Sequence, residues 1–118
     1  MVGPWQIFGK KAENTACKFL RKAGFIILEK NYTTKIAEID IIAQYHDFLV
    51  FVEVKARKTL RKGKPKEAVN FLKQKKIKLG ATYYLKNKKI DNIRIRFDVV
   101  SMYENNGKFE IEHIKNAF

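Results

Sequence analysis

The chain predicts an α/β fold, a central mixed β-sheet flanked by helices in the order helix, three strands, helix, two strands. Three observations predict it. Apolar residues recur at helical spacing twice, from Gly9 to Gly24 and from Glu67 to Leu85. The intervening and following runs are rich in β-branched and aromatic residues. Short polar stretches, QYHD and ENNG, separate neighbouring runs as hairpin turns do. With 118 residues a second core would have too few side chains to close, so one domain over residues 1–118 is expected.

Each element has its own warrant. The first helix carries Ala12, Ala16, Phe19, Leu20 and Ala23 on one stripe and ends at Gly24, a residue suited to a left-handed C-terminal position. FIILEKNY (25–32), IAEIDIIA (36–43) and FLVFVEVKA (48–56) read as strands. RKTLRKGKPKE (57–67) combines Gly63 and Pro65 with basic residues and reads as a mobile basic loop. In the second helix the wheel gathers Ala68, Val69, Leu72, Leu79, Gly80 and Tyr83 on one side, with Lys73 inside that arc. IRIRFDVVSMY (93–103) and KFEIEHI (108–114) alternate polar and apolar residues and close the sheet.

Composition narrows the function. The net charge of +13, from 25 Lys and Arg against 12 Asp and Glu, makes a positive field that attracts polyanions, nucleic acid first. Twenty of those cations are Lys and 5 are Arg, which favours backbone contact over the bidentate reading of bases. Lysines that merely solvate the surface would give the same count. Cys17 is the only cysteine and His46 and His113 the only histidines, so a disulfide or a thiolate-rich zinc site is excluded and any metal would be held by oxygen. MVGPWQIFGKK at the N-terminus lacks a long apolar stretch and the apolar run near residue 50 is cut by Glu53 and Lys55, so neither a signal peptide nor a membrane span is expected, and the location implied is the cytoplasm.

The chemistry sits in EIDIIAQYHDFLVFVEVKARK (38–58). Glu53 and Lys55 share one strand face about 7 Å apart along the backbone. Across the hairpin Asp40 comes within about one residue of facing Glu53. Two carboxylates so close repel unless a cation separates them, and a divalent ion held by oxygen, Mg2+ or Mn2+, is the natural one. It would supply a water nucleophile and polarise a phosphate, leaving Lys55 to orient or deprotonate that water or to neutralise the transition state. The same spacing also fits a cross-strand salt bridge at the surface.

The Asp followed by Glu-x-Lys on the next strand resembles the PD-(D/E)xK core of restriction-endonuclease-like folds and of archaeal Holliday junction resolvases. More closely, GKKAENTACKFLRKAGFIILEKNY, AEIDIIA, LVFVEVKARK, EAVNFLKQKKI, RFDVV and HIKNAF are similar, over nearly the whole chain, to the YraN-like family of predicted endonucleases. The resemblance implies a restriction-endonuclease-like fold in which Asp40, Glu53 and Lys55 form the metal-and-lysine core. It adds Glu13 as a further catalytic and metal-binding carboxylate, and Lys73 with Gln74 as a nucleic-acid contact. Glu13 could equally form a charged helix edge with Lys10 or Lys18, and Lys73 could snorkel from the apolar arc. Ala12 and Ala37 stand where the family tends to have glycines.

Together these readings predict a metal-dependent endonuclease acting on DNA, with branched structures suggested by fold analogy only. Arg57, Lys58, Arg61, Lys62 and Lys64 would grip phosphates. Junction cutting would require two sites, hence a homodimer. The alternatives are a nucleic-acid-binding module of the same fold that does not cut, or an interaction protein whose basic surface recruits a partner. Glu38 is read as a supporting group or a partner of Lys35, and Asp98 as an ion pair outside the catalytic set.

Overall fold

Helix formation at the N-terminus begins with Pro4, whose fixed φ and missing N–H suit a first helical position, behind Gly3, whose N–H is bonded by the Gln6 side chain at 2.9 Å. The computed structural model describes residues 3–58 and 69–118. Helix α1 (Pro4–Lys22) starts five residues before the apolar stripe does and ends at Gly24, whose φ of 98° confirms the left-handed stop. Strands β1 (Ile26–Thr33), β2 (Glu38–Tyr45) and β3 (Phe48–Arg57) form an antiparallel meander. The turn between β2 and β3 is tighter than QYHD, because Gln44 and Tyr45 still pair with Leu49 and Phe48 and His46, at φ 53°, makes the reversal with Asp47.

Helix α2 (Phe71–Asn87) begins four residues later than expected, capped by Asn70, whose side chain accepts the Lys73 N–H at 2.9 Å. It carries the crossover from β3 to the parallel strand β4 (Arg94–Asn105), which turns through Asn106 and Gly107, both at positive φ, into β5 (Lys108–Ile114). The result is a five-stranded mixed sheet in the order β1-β2-β3-β4-β5, antiparallel except for β3 against β4.

Among the described residues one helix covers each face. Val50 and Val52 pack with Ala12, Ala16, Cys17 and Leu20 of α1. Leu49 and Phe51, pointing the opposite way, pack with Ile77, Ala81 and Tyr84 of α2. The apolar arc expected on α2 is corrected here: Leu72, Leu79 and Tyr83 are exposed, and Ile77, Gly80, Ala81 and Tyr84 are buried. Small residues decide the phase, since a Cβ on Gly80 would come within 3.2 Å of Ile39 Cδ1, and glycine lets the helix sit this near the sheet without displacing that side chain. Ala68 and most of the basic stretch 57–67 fall outside the described residues. Arg57 is the last residue of β3. No helix among the described residues is long and apolar enough to cross a membrane.

Candidate active site

The ladder between β2 and β3 ends at the pair Ile41 with Val52, and there the site begins. Ile41 and Ala43 belong to the core under α1, whereas Ile42 and Ile39 belong to the core under α2. Strict alternation is therefore broken between 39 and 42, where Asp40 lies. Its Oδ2 accepts the Val54 N–H at 2.8 Å, so Asp40 bridges to β3 by its side chain where backbone pairing stops.

Glu53 follows Val52 and is only 3% exposed. A buried lone carboxylate is costly, by several kcal/mol. Two ammonium groups offset that cost: Lys73 Nζ lies 2.9 Å and Lys55 Nζ 3.8 Å from Glu53 Oε2. Lys73 reaches it because it shares the inward face of α2 with Ile77, Gly80 and Tyr84, at helical spacing of four, seven and eleven. The hydrogen bond to Glu53 raises the Lys73 pKa against the opposing effect of burial, and the charges of Glu53, Asp40 and Glu38 add to it, so this lysine is a fixed cation.

Asp40 is pushed up to about 8, first by burial, then by its hydrogen bond with Glu53 and the charge of that carboxylate, while the Val54 N–H and Lys73 pull the other way. Asp40 therefore holds its proton over much of the ordinary pH range. The donors of the pair are all hard oxygens, the kind that a divalent cation such as Mg2+ or Mn2+ takes.

Glu13 stands further off. It lines a cleft of about 310 Å³ together with Phe8, Asn31, Glu38, Asp40 and Val54, and its Oε1 accepts the Asn31 side-chain N–H at 2.9 Å. Among the described residues no three of His, Cys, Asp and Glu converge closely enough to hold a metal ion; Asp40 and Glu53 form a pair, and Glu13 on α1 shares the cleft with Asp40. Ala12 lines the same cleft, while the methyl of Ala37 lies beside Gly80 on α2.

The expected nucleic-acid contacts divide. Lys58 is exposed and its ammonium lies over the rings of Trp5 and Phe8. Arg57 is half-buried at the end of β3. Arg61, Lys62 and Lys64 lie outside the described residues. Gln74 donates to the Val69 carbonyl at 3.1 Å and braces the start of α2. Asp98 is an ion pair, as expected: fully buried, it is bonded twice by Arg96 at 2.9 Å, and by His113 at 2.7 Å and the Asn116 N–H at 3.0 Å. Burial opposes its charge, but the bonds from His113, Arg96 and Asn116 outweigh that and hold its carboxyl below the usual range.

Two features had no foreshadowing. Ser101 stands beside Lys55 on neighbouring β4, and its buried Oγ has no hydrogen-bond partner among the described residues. Asn31, which orients Glu13, has φ 54°, a conformation that Asn tolerates better than most residues; that tolerance is the one signal that could have marked it.

Residues 12–102 match the family described as Uncharacterised protein family UPF0102. A UPF0102 protein of Desulforapulum autotrophicum is 51% identical over 113 residues, 96% of this chain and 93% of the relative. UPF0102 proteins of Caldicellulosiruptor saccharolyticus and Clostridioides difficile are 44% and 46% identical, each alignment covering 93% of this chain and 95% of the relative. Likeness at this level, running through both helices and every strand, shows that the chain belongs to the UPF0102 family.

Proposed function

We propose that this protein is a divalent-metal-dependent endonuclease of restriction-endonuclease-like fold that hydrolyses phosphodiesters in DNA. The observation that carries the reading is the meeting of Asp40, Glu53, Lys55 and Lys73 where β2 and β3 part, at the edge of a cleft in a strongly basic chain. Asp40 and Glu53 would hold the metal, with Glu13 across the cleft. A bound divalent ion supplies Lewis acidity at the phosphate and a water of lowered pKa. Lys55, half-buried and with its ammonium 3.8 Å from Glu53, is placed to orient the attacking water or to neutralise charge on the phosphorane-like transition state. Lys73 holds the Glu53 carboxyl group in its orientation.

The test is incubation of duplex, single-stranded, flapped and four-way DNAs with magnesium, manganese or calcium. Product that needs magnesium or manganese and disappears in Glu53→Gln supports the reading. No metal-dependent product from any of these substrates sinks it. One observation favours a second reading, a binding module that does not cut: Lys73 already closes on Glu53 at 2.9 Å, an arrangement complete without a metal. Metal-independent DNA binding with no cleavage is the outcome that reading requires.

A further inference from the structure

Trp5 is the only tryptophan of the chain and is 72% exposed. A lone aromatic ring at a surface is ordinary, but this one is part of an assembly. Phe8, one helical turn further along α1, meets it edge to face with ring centroids 6.4 Å apart. Phe8 is in turn braced by Phe109 of β5 at 5.6 Å, so the pair rests on the sheet. The Lys58 ammonium lies 4.8 Å from the Trp5 centroid and 5.3 Å from that of Phe8. Phe8 also lines the cleft that holds Asp40 and Glu13. The aromatic pair and its cation therefore adjoin the candidate reaction centre.

We propose that Trp5, supported by Phe8 and Lys58, is a stacking platform for an unpaired nucleobase beside the cleft, so that the protein prefers nucleic acid with unpaired bases to continuous duplex. The inference rests on the nucleic-acid half of the function proposed above and not on cleavage. An exposed indole presents a flat apolar surface that any base can cover, and stacking of this kind is tolerant of sequence. Lys58 places a positive charge at the same spot, where the phosphate attached to a stacked base would need one. Within a duplex the base faces are already covered by their neighbours and a protein ring cannot reach them, whereas a splayed base can leave the strand and lie on Trp5. The small share of arginine fits this division: the lysines hold the backbone, and the ring detects whether a base is free.

Because no other tryptophan is present, emission excited at the red edge of the indole band, where the five tyrosines do not absorb, reports on Trp5 alone. The experiment titrates metal-free protein, in EDTA, with an oligothymidylate of about eight nucleotides, an abasic oligomer of equal length and a blunt duplex. The expected result is saturable quenching by the thymidylate and none by the abasic strand. Trp5→Ala should lower affinity for the single strand roughly 5- to 100-fold, the size of one lost base stack, with Trp5→Phe retaining most of it. Affinity for the blunt duplex should change less than about twofold, since it is governed by phosphate contacts. Unchanged emission at saturating thymidylate, or equal losses on single strand and duplex, overturns the platform. Cleavage is absent from every arm, so failure here is distinct from failure of the nuclease assay.

Discussion

Two aspartates of one sheet have opposite surroundings. Asp98 is enclosed by donors from Arg96, His113 and Asn116, which hold it ionised despite complete burial. Asp40 has one backbone donor and a carboxylate neighbour, and is pushed up to about 8. The first arrangement is structural, and the perturbed carboxyl group of the second marks it as the functional candidate. Removing Asp98 strands the groups of Arg96, His113 and Asn116 that face it, so Asp98→Ala should cost about 3–5 kcal/mol in urea unfolding. For Asp40 the folded state keeps a proton that the unfolded chain loses near 3.8, so its contribution is fully present below that pH and is lost as pH rises to about 8. Stability of the metal-free protein should therefore fall as pH rises from about 4 to about 8. Asp40→Asn should flatten that fall, and magnesium should stabilise the parent more than the variant. A variant that melts well below the parent without metal at pH 8 would show that the carboxylate holds structure instead. Lys55→Ala should leave the melting curve nearly unchanged while lowering cleavage by about 100-fold or more, and cutting at the parent rate would reduce Lys55 to a salt-bridge partner.

At the level of elements, α2 decides whether the site assembles. Its inward face is made of Lys73, Ile77, Gly80, Ala81 and Tyr84, and the close approach at Gly80 is what brings Lys73 to Glu53. Gly80→Ala gains helix propensity but crowds Ile39, two effects of about 1 kcal/mol that should nearly cancel. Gly80→Val should overpack the contact and cost about 1–3 kcal/mol, with the urea midpoint as the measure; a neutral result would mean that the helix is free to retreat. This element also marks where sequence reasoning stops. Strand periods and hairpin turns are local signals, and they located β1 to β5 to within a few residues. The rotation of α2 is set by contact with Ile39 and Ala37, 41 and 43 positions away in the chain, and by an ion pair with Glu53. A wheel that rewards large apolar side chains selects Leu72, Leu79 and Tyr83, which lie outward. The facing of Asp40 and Glu53 was legible from hairpin register, but the break in alternation that turns Asp40 into the cleft was not, because IAEIDIIA has no turn residue to announce it.

Across the whole molecule, the surplus of 13 positive charges predicts salt-sensitive attachment to nucleic acid. The logarithm of affinity should fall with the logarithm of salt by about 0.9 for each phosphate contact on duplex, and replacing Arg61, Lys62 and Lys64 together should flatten that slope by roughly 2–3 units; an unchanged slope would remove the basic stretch from the binding surface. The parallel pairing of β3 with β4 has a further consequence, for the order in which the chain folds. Hairpin partners such as Tyr45 and Phe48 are three positions apart, whereas every β3–β4 pair, like Phe48 with Arg94, spans 46 positions. Closing that long loop costs entropy before any contact repays it, so the meander and the C-terminal hairpin should organise first and their docking should limit the rate. Core truncations at the seam, Phe51→Leu or Phe97→Leu, should then slow folding, while truncations in α1 should chiefly speed unfolding. Glu53 and Lys55 pair across that seam with Val99 and Ser101, so the candidate chemistry is placed on the join that forms last and exists only in the completed molecule.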